Sequence, residues 1–218
     1  MSAPIVNKNT ITSEYITPAL KALGVRASLI PVVAEALAKE CTAYQCNTPR
    51  RIAGLLGQLA LESNKFAVTS ENLYYTTLSV LTRVFRSRVE PNPAQYLRNP
   101  RKLANKVYST RKDLGNLGGE DGWNYRGSGW IQTTGRYNFT MLSKAIGIDL
   151  VSYPAYLRDK HDIMAKAALY YYMDQKKCYI EADAKNWDGV TRKVNTGMLE
   201  ASVRAQYSNI ALKALGGK

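Results

Sequence analysis

The sequence predicts a mainly α-helical protein, because helix signals recur along the chain and strand signals are nearly absent. Apolar residues repeat at helical spacing in several segments, and a capping residue followed by proline precedes some of them. The alternation nearest to a strand pattern, at residues 153–157, is interrupted by Pro154. Neither an internal repeat nor a low-complexity linker divides the chain. We therefore expect a folded, mainly helical protein in which no linker marks off a second domain.

Two helices are predicted in the first part of the chain. Thr17-Pro18 is typical of a helix start, and the helix that it opens ends at Gly24. Ser28 is positioned to cap the next helix, whose apolar residues fall near helical periodicity. Together these helices form an N-terminal segment, residues 1–49, which we expect to pack on the same domain as the rest.

The next helix begins at Thr48-Pro49 and reaches Glu62. Its apolar residues form one buried stripe: Ile52, Leu55, Leu56 and Leu59. Gln58 and Glu62 are four residues apart, so both project from one shoulder of that stripe. A carboxylate at the edge of an apolar face is partly desolvated, which is the environment that a general acid needs.

The second half of the chain contains a glycine-rich passage between helical segments. Asn99-Pro100 starts a helix, and residues 115–130 then combine many glycines with Trp123, Tyr125 and Trp130. Such glycines suit tight turns and close approach to a ligand, and the aromatic rings either stack on sugars or pack in the core. A polar run at residues 131–139 leads into another helix, and helical patterns recur at 159–177 and 199–215.

The formal net charge of +13 is the most informative bulk property. It indicates a polyanionic environment: nucleic acid, an anionic membrane face or an acidic cell-wall polymer. Basic residues accumulate between residues 83 and 112, where Glu90 is the only acid before Asp113. This cluster is either a solvated helix face or a surface that faces an anion. It comprises Arg83, Arg86, Arg88, Arg98, Arg101, Lys102, Lys106, Arg111 and Lys112.

Cysteine usage and the N-terminal residues favour a protein made in a reducing compartment. Cys41, Cys46 and Cys178 are an odd set without metal-type spacing, so we expect free buried thiols. A disulfide between Cys41 and Cys46 stays an alternative in an oxidising space. The first residues lack the apolar core of a signal peptide, and no apolar run is long enough to span a bilayer.

Two carboxylates are the strongest candidates for chemistry. Glu62 closes its helix and Glu71 follows on a loop, and a pair of carboxylates can cleave a glycosidic bond by acid and base catalysis. His161 is the sole histidine, which makes Ser-His-Asp, Cys-His and histidine-based zinc mechanisms improbable. Paired-carboxylate chemistry needs neither histidine nor metal, and we expect no cofactor.

The ordered motifs of the chain resemble those of glycoside hydrolase family 19 and, more narrowly, its bacteriophage endolysins, relatives of the plant chitinases. The resemblance extends from about Arg50 to Arg204, and residues 50–218 are therefore interpreted as the catalytic domain. The motifs are Ala60-Leu61-Glu62-Ser63, Glu71-Asn72-Leu73-Tyr74-Tyr75, Arg98-Asn99-Pro100, residues 103–108 and residues 121–132.

The resemblance implies a lysozyme-like, bilobed helical fold with a central substrate cleft. It also implies inverting hydrolysis of β-1,4 bonds between amino sugars, a mechanism in which acid and base stand roughly 6.5–9.5 Å apart. Glu62 then matches the general acid, Glu71 the general base and Thr134 the hydroxyl that holds the attacking water. The remaining matches are substrate-binding residues: Gln132, Tyr137, Asn138, Asn195 and Arg204. Trp123 of the aromatic passage is a further substrate-binding candidate, as a flat surface on which a sugar can stack.

The chain departs from the family pattern at three positions. Leu61 stands where many members have histidine, Ser128 replaces the arginine of Gly-Arg-Gly, and Thr196 replaces a glycine. The resemblance therefore does not imply a histidine contact with substrate, nor a guanidinium at position 128 that organises the carboxylates. Both glutamates are retained.

These observations predict an endolysin that cleaves the glycan strands of peptidoglycan and lyses the host cell. A chitinase acting on poly-N-acetylglucosamine is the enzymatic alternative, and a non-catalytic basic protein that binds cell wall or nucleic acid is the other. We expect a monomer that acts at the anionic bacterial envelope without a nucleic-acid partner. It would be made in the host cytoplasm and released to the wall through a separate membrane pore protein.

Overall fold

The computed structural model describes residues 10–218 and divides the chain into two compact units. Of the described residues, the first unit combines residues 10–68 with Lys160–Lys218, and the second is the continuous segment Thr69–Asp159. The residues before Thr10, including the start of the predicted N-terminal segment, lie outside the described part.

Helices account for most of the described chain. In chain order the α-helices are α1 Ser13–Ala22, α2 Ile30–Ala43, α3 Pro49–Glu62, α4 Leu78–Phe85, α5 Pro100–Tyr108, α6 Asp121–Asn124, α7 Arg136–Ile146, α8 Tyr156–Asp159, α9 His161–Leu169, α10 Tyr179–Asp183, α11 Trp187–Val194 and α12 Ala201–Ala214. Short 3-10 helices occupy Arg86–Val89, Pro93–Tyr96 and Lys112–Leu114, and a π-helical turn occupies Tyr170–Gln175.

The mainly α prediction is confirmed. Within residues 10–218 the extended pairing is limited to two isolated antiparallel bridges, Ser70 with Ser128 and Ser128 with Thr133. No helix in this part of the chain has the length and apolar character needed to cross a membrane.

Helix α3 is the centre of the first unit. Thr48 caps it as predicted, because its hydroxyl accepts a hydrogen bond from the Arg51 amide at 3.3 Å. The predicted stripe is buried on this helix. On another face α12 packs closely against Gly57: a Cβ added there would stand 2.1 Å from the Ser208 hydroxyl oxygen. Glycine at this position therefore lets α12 approach α3, and α12 carries a residue that contacts Glu62.

The first two helices begin at other residues than the sequence signals predicted. Helix α1 starts at Ser13, because the Thr12 hydroxyl accepts from the Tyr15 amide and caps it. The Thr17 hydroxyl instead donates to the Ser13 carbonyl, so Thr17-Pro18 lies inside the helix. The Ser28 prediction is also wrong: Leu29 occupies the cap position of α2, without a side-chain bond.

The N-terminal helices join the rest of the first unit. Helix α1 packs on α2 and α12, and α2 packs on α9. The boundary proposed at residue 49 stays a prediction. Cys41, Cys46 and Cys178 are buried free thiols, as expected, and burial raises the pKa of Cys178 to about 12.

The second unit has its own apolar core, formed by Leu73, Leu81, Phe85, Val89, Tyr96, Leu103, Ala104 and Val107. Asn99 caps α5 as predicted, since its side chain accepts from the Lys102 amide at 3.1 Å. Helix α6 lies against α5, and a Cβ added at Gly122 would stand 2.3 Å from the Ala104 carbonyl oxygen. The glycine-rich passage is thus held close to α5, whose last residue, Tyr108, contacts Glu71.

Candidate active site

Glu62 is the last residue of α3, and an arginine from α12 fixes its carboxylate. Arg204 donates from Nη2 to Glu62 Oε1 at 2.6 Å. The Arg204 side chain is 4% exposed, whereas that of Glu62 is 26% exposed. One side of the carboxylate is therefore anchored in the interior of the first unit, and the other remains accessible.

Buried polar side chains support this arginine. Arg204 Nη1 donates to Gln58 Oε1 at 2.9 Å, and its Nε donates to the Leu199 carbonyl at 3.1 Å. Gln58 Nε2 donates in turn to the Thr191 hydroxyl at 3.1 Å. The predicted placement of Gln58 and Glu62 on one side of α3 is confirmed, because both accept from the same guanidinium. The network holds Glu62 in one orientation.

Two predicted substrate residues of the first unit differ in their surroundings. Arg204 is buried, and its contacts are those of a residue that positions Glu62; direct contact with substrate stays a prediction. Asn195 is half-buried at the C-terminal cap of α11, where its backbone N–H donates to the Thr191 carbonyl at 2.7 Å.

Glu71 belongs to the second unit, where both of its carboxylate oxygens accept hydrogen bonds. Tyr108 donates its hydroxyl proton to Oε1 at 2.7 Å, and the Gly127 amide donates to Oε2 at 3.4 Å. The Glu71 amide also donates to the Gly127 carbonyl at 2.8 Å. Segment 70–71 is thereby held against segment 127–128.

Sequence reasoning placed Tyr108 only within a family motif and gave it no role. Burial, followed by the negative charge of Glu71, raises the pKa of the Tyr108 hydroxyl well above its usual range. The hydroxyl therefore keeps its proton and acts as a donor to the carboxylate. Tyr108 lies one turn after the buried Ala104 at the end of α5. This spacing was the signal in the sequence that its side chain faces the interior.

Gly127 brings Glu71, Gln132 and Thr134 together. A Cβ added at Gly127 would stand 3.2 Å from Glu71 Cβ, 2.8 Å from Gln132 Oε1 and 3.5 Å from Thr134 Oγ1. The absence of a side chain therefore lets these groups approach one another. Thr134 and Glu71 therefore lie near the same glycine although many residues separate them in sequence, and the water-holding role of Thr134 stays a prediction.

The remaining predicted residues lie on the same unit. Tyr137 and Asn138 are exposed on the first turn of α7, and Asn138 donates to the Thr134 carbonyl at 2.8 Å. Trp123 is half-buried, and its ring is covered by the Arg126 guanidinium at 3.6 Å from the centroid. That face of Trp123 therefore contacts a cation of the protein itself.

Comparison with known proteins identifies the family. A Haemophilus influenzae protein described as a glycosyl hydrolase family 19 domain-containing protein is 33% identical over 169 residues, covering 76% of this chain and 80% of its own length. The chain belongs to glycosyl hydrolase family 19. No family model matches the sequence.

Solved structures show the same fold as this family 19 protein. Chitinase C from Streptomyces griseus superposes with a TM-score of 0.60 at 13% identity, covering 97% of this chain and 95% of its own. A second structure, a bacterial family 19 chitinase, gives a TM-score of 0.52 at 15% identity, with coverages of 96% and 88%. The family relationship makes the protein a glycosidase. At identities of 13% and 15%, the solved structures show only that the fold is shared.

For a family 19 protein, the contact between Tyr108 and Glu71 predicts a positioning role. We expect Tyr108→Phe to lower kcat about tenfold or more with little change in KM, because a hydrogen bond to a charged group contributes about 1.5–3 kcal/mol. Steady-state hydrolysis measures this effect. The matched control is Tyr96→Phe, which removes a hydroxyl from the same core without touching Glu71. Equal kinetics in the two variants would rule the role out.

The Thr134 hydroxyl is free to accept a hydrogen bond from water. It donates its own proton to the Gln132 carbonyl at 2.9 Å, which leaves its lone pairs free. We expect Thr134→Ala to lower turnover about 100-fold, because a misplaced nucleophile costs on that order, with unchanged thermal unfolding. Thr133→Ala is the neighbouring control, and wild-type rates in Thr134→Ala would reject the water-holding role.

Proposed function

We propose that this family 19 glycosidase is a bacteriophage endolysin that hydrolyses β-1,4 bonds between the amino sugars of peptidoglycan. Glu62 protonates the leaving glycosidic oxygen, and Glu71 removes a proton from the attacking water, which Thr134 helps to hold. The reaction inverts the anomeric carbon, because water attacks directly without a covalent intermediate.

The observation that carries this proposal is the anchoring of both glutamates in a chain of this family. Glu62 is fixed by Arg204 yet partly exposed, which suits a group that must deliver a proton to a bound substrate. Glu71 accepts from Tyr108 and the Gly127 amide, contacts that hold its carboxylate in one orientation, as a base that activates water requires. The two carboxylates therefore have different hydrogen-bond partners, and each is held in place by its own unit.

The choice of peptidoglycan is supported by charge. The protein carries a net charge of +13, and the basic cluster of residues 83–112 lies on the second unit. Arg101 pairs with Glu120, and Arg111 pairs with Asp113. The other members are exposed and form no salt bridge with any described residue: Arg83, Arg86, Arg88, Arg98, Lys102, Lys106 and Lys112. Such a surface suits the anionic bacterial envelope better than uncharged chitin.

Chitin hydrolysis is the second candidate, favoured by the solved relatives that are described as chitinases. Digestion of purified peptidoglycan and of chitin oligosaccharides, followed by mass spectrometry of the products, separates the two. We expect soluble muropeptides with new reducing ends and much slower cleavage of chitin. New ends at muramic acid identify a muramidase, and new ends at glucosamine identify a glucosaminidase. Release of chitin fragments alone would overturn the peptidoglycan assignment.

The proposal extends to the site of action. The protein is made in the host cytoplasm and reaches the wall through a separate membrane pore protein, where it acts as a monomer and leads to lysis. Its partners are glycan strands and the anionic envelope surface, without nucleic acid. Expression with and without a pore-forming partner tests this route, and lysis that occurs equally in both cultures would contradict it.

A further inference from the structure

Two half-buried guanidinium groups of the second unit contact the paired segments 70–71 and 127–128. Arg126 donates from Nε to the Ser70 hydroxyl at 3.0 Å and from Nη1 to the Trp123 carbonyl at 2.8 Å. Arg158 donates from Nη1 to the Asn124 carbonyl at 3.1 Å and to the Ser128 hydroxyl at 3.0 Å. Among these acceptors, Ser70 precedes Glu71 in sequence and Ser128 follows Gly127.

Neither arginine forms a salt bridge with a residue of the described part of the chain. Every acceptor that they contact is neutral, and the salt bridges within residues 10–218 involve other residues. Arg126 Nη2, like Arg158 Nε and Nη2, makes no hydrogen bond to a described residue. Two planar guanidinium groups thus retain donors that can form paired bonds with a carboxylate.

The electrostatics of this pair are unfavourable without an anion. Burial, followed by the positive charge of Arg158, lowers the pKa of Arg126 to about 10, and Glu71 and Asp159 offset only part of this. Burial also lowers the pKa of Arg158, with Asp159 opposing. Like charges held in a partly desolvated site raise the free energy of the folded state, and a bound anion would relieve that cost.

We propose that Arg126 and Arg158 form a subsite for a free carboxylate of the peptide stem that peptidoglycan glycan carries. This inference rests on the proposed function, and it names the residues that would distinguish peptidoglycan from chitin. Chitin presents acetamido groups and hydroxyls but no carboxylate, so the subsite favours stem-bearing glycan. Ser128 stands where the family pattern has an arginine. Arg158 contacts the Ser128 hydroxyl and so provides a guanidinium group next to that position.

The test compares two glycans that differ only in the stem. Purified peptidoglycan strands are assayed intact and after their stem carboxylates have been converted to amides, because enzymatic removal of the stem would free a new carboxylate on each muramic acid. We expect the wild type to show a kcat/KM about tenfold higher for the intact strands, the size expected for a charged hydrogen bond. Arg158→Gln and Arg126→Gln lower this ratio toward one, and Lys144→Gln, which removes an exposed cation of the same unit outside the basic cluster, keeps it.

Each outcome has a defined meaning. Equal losses on both glycans in the arginine variants would show a merely structural role and overturn the subsite. A wild type without preference would also overturn it. If the variants do not fold, the comparison of intact with amidated strands is made with the wild type alone, and equal rates reject the proposal. Failure of the wild type to cleave any of these strands would instead reject the proposed function and, with it, the subsite.

Discussion

Glu62→Gln is expected to reduce hydrolysis of the glycan about 10²–10⁴-fold, the contribution typical of a positioned general acid. The amide still accepts a hydrogen bond from Arg204 in place of the carboxylate oxygen, so the network around Gln58 is retained. It has no proton to deliver to the leaving oxygen. Initial rates on soluble peptidoglycan fragments measure the effect, and thermal unfolding measures the retained fold.

The matched control is Glu35→Gln, which neutralises an exposed glutamate of the same unit. It should leave turnover unchanged, because Glu35 makes no contact with the Arg204 network. Unchanged turnover in Glu62→Gln would contradict the acid role and would revive the alternative of a non-catalytic wall-binding protein.

Arg204→Met is expected to lower the free energy of unfolding by about 3 kcal/mol, the lower end for removing one partner of a buried ion pair. Methionine fills part of the space but leaves Gln58 Oε1 and the Leu199 carbonyl without their donor. Turnover should fall as well, since Glu62 loses the contact that fixes its orientation. Urea unfolding followed by circular dichroism measures the stability.

Arg192→Met is the control for this variant, because Arg192 is an exposed arginine of the same unit. Its unfolding free energy should stay within ~0.5 kcal/mol of the wild type, as is usual for surface substitutions. If Arg204→Met were as stable as this control, the buried network would not be what holds Glu62.

Helices with strong local signals could be predicted from sequence, and helices that depend on tertiary contacts could not. Thr48-Pro49 and Asn99-Pro100 each combine a capping side chain with proline, and both mark true helix starts. Thr17-Pro18 carries the same signal but lies inside α1, because Thr12 caps that helix first. Which of two possible caps starts a helix depends on the packing of all the residues between them, and a two-residue motif carries no information about that packing.

In the candidate site, too, the residues with local signals could be predicted and the tertiary contacts could not. Glu62 and Glu71 could be found from residue types, exclusion of histidine chemistry and family motifs. The contact of Tyr108 with Glu71 links residues 37 apart, and that of Arg204 with Glu62 links residues 142 apart. Neither spacing follows from helical periodicity, so the positioning of each carboxylate became visible only in the folded chain.

The anomeric form of the first product tests the central claim most directly, because the claim is inverting hydrolysis by an acid and a base. Proton NMR of a digest of β-1,4-linked peptidoglycan fragments, recorded before mutarotation equilibrates the new reducing end, distinguishes the two forms. Inversion predicts that the α-anomer appears first. Initial accumulation of the β-anomer would show retention and contradict the roles assigned to Glu62 and Glu71.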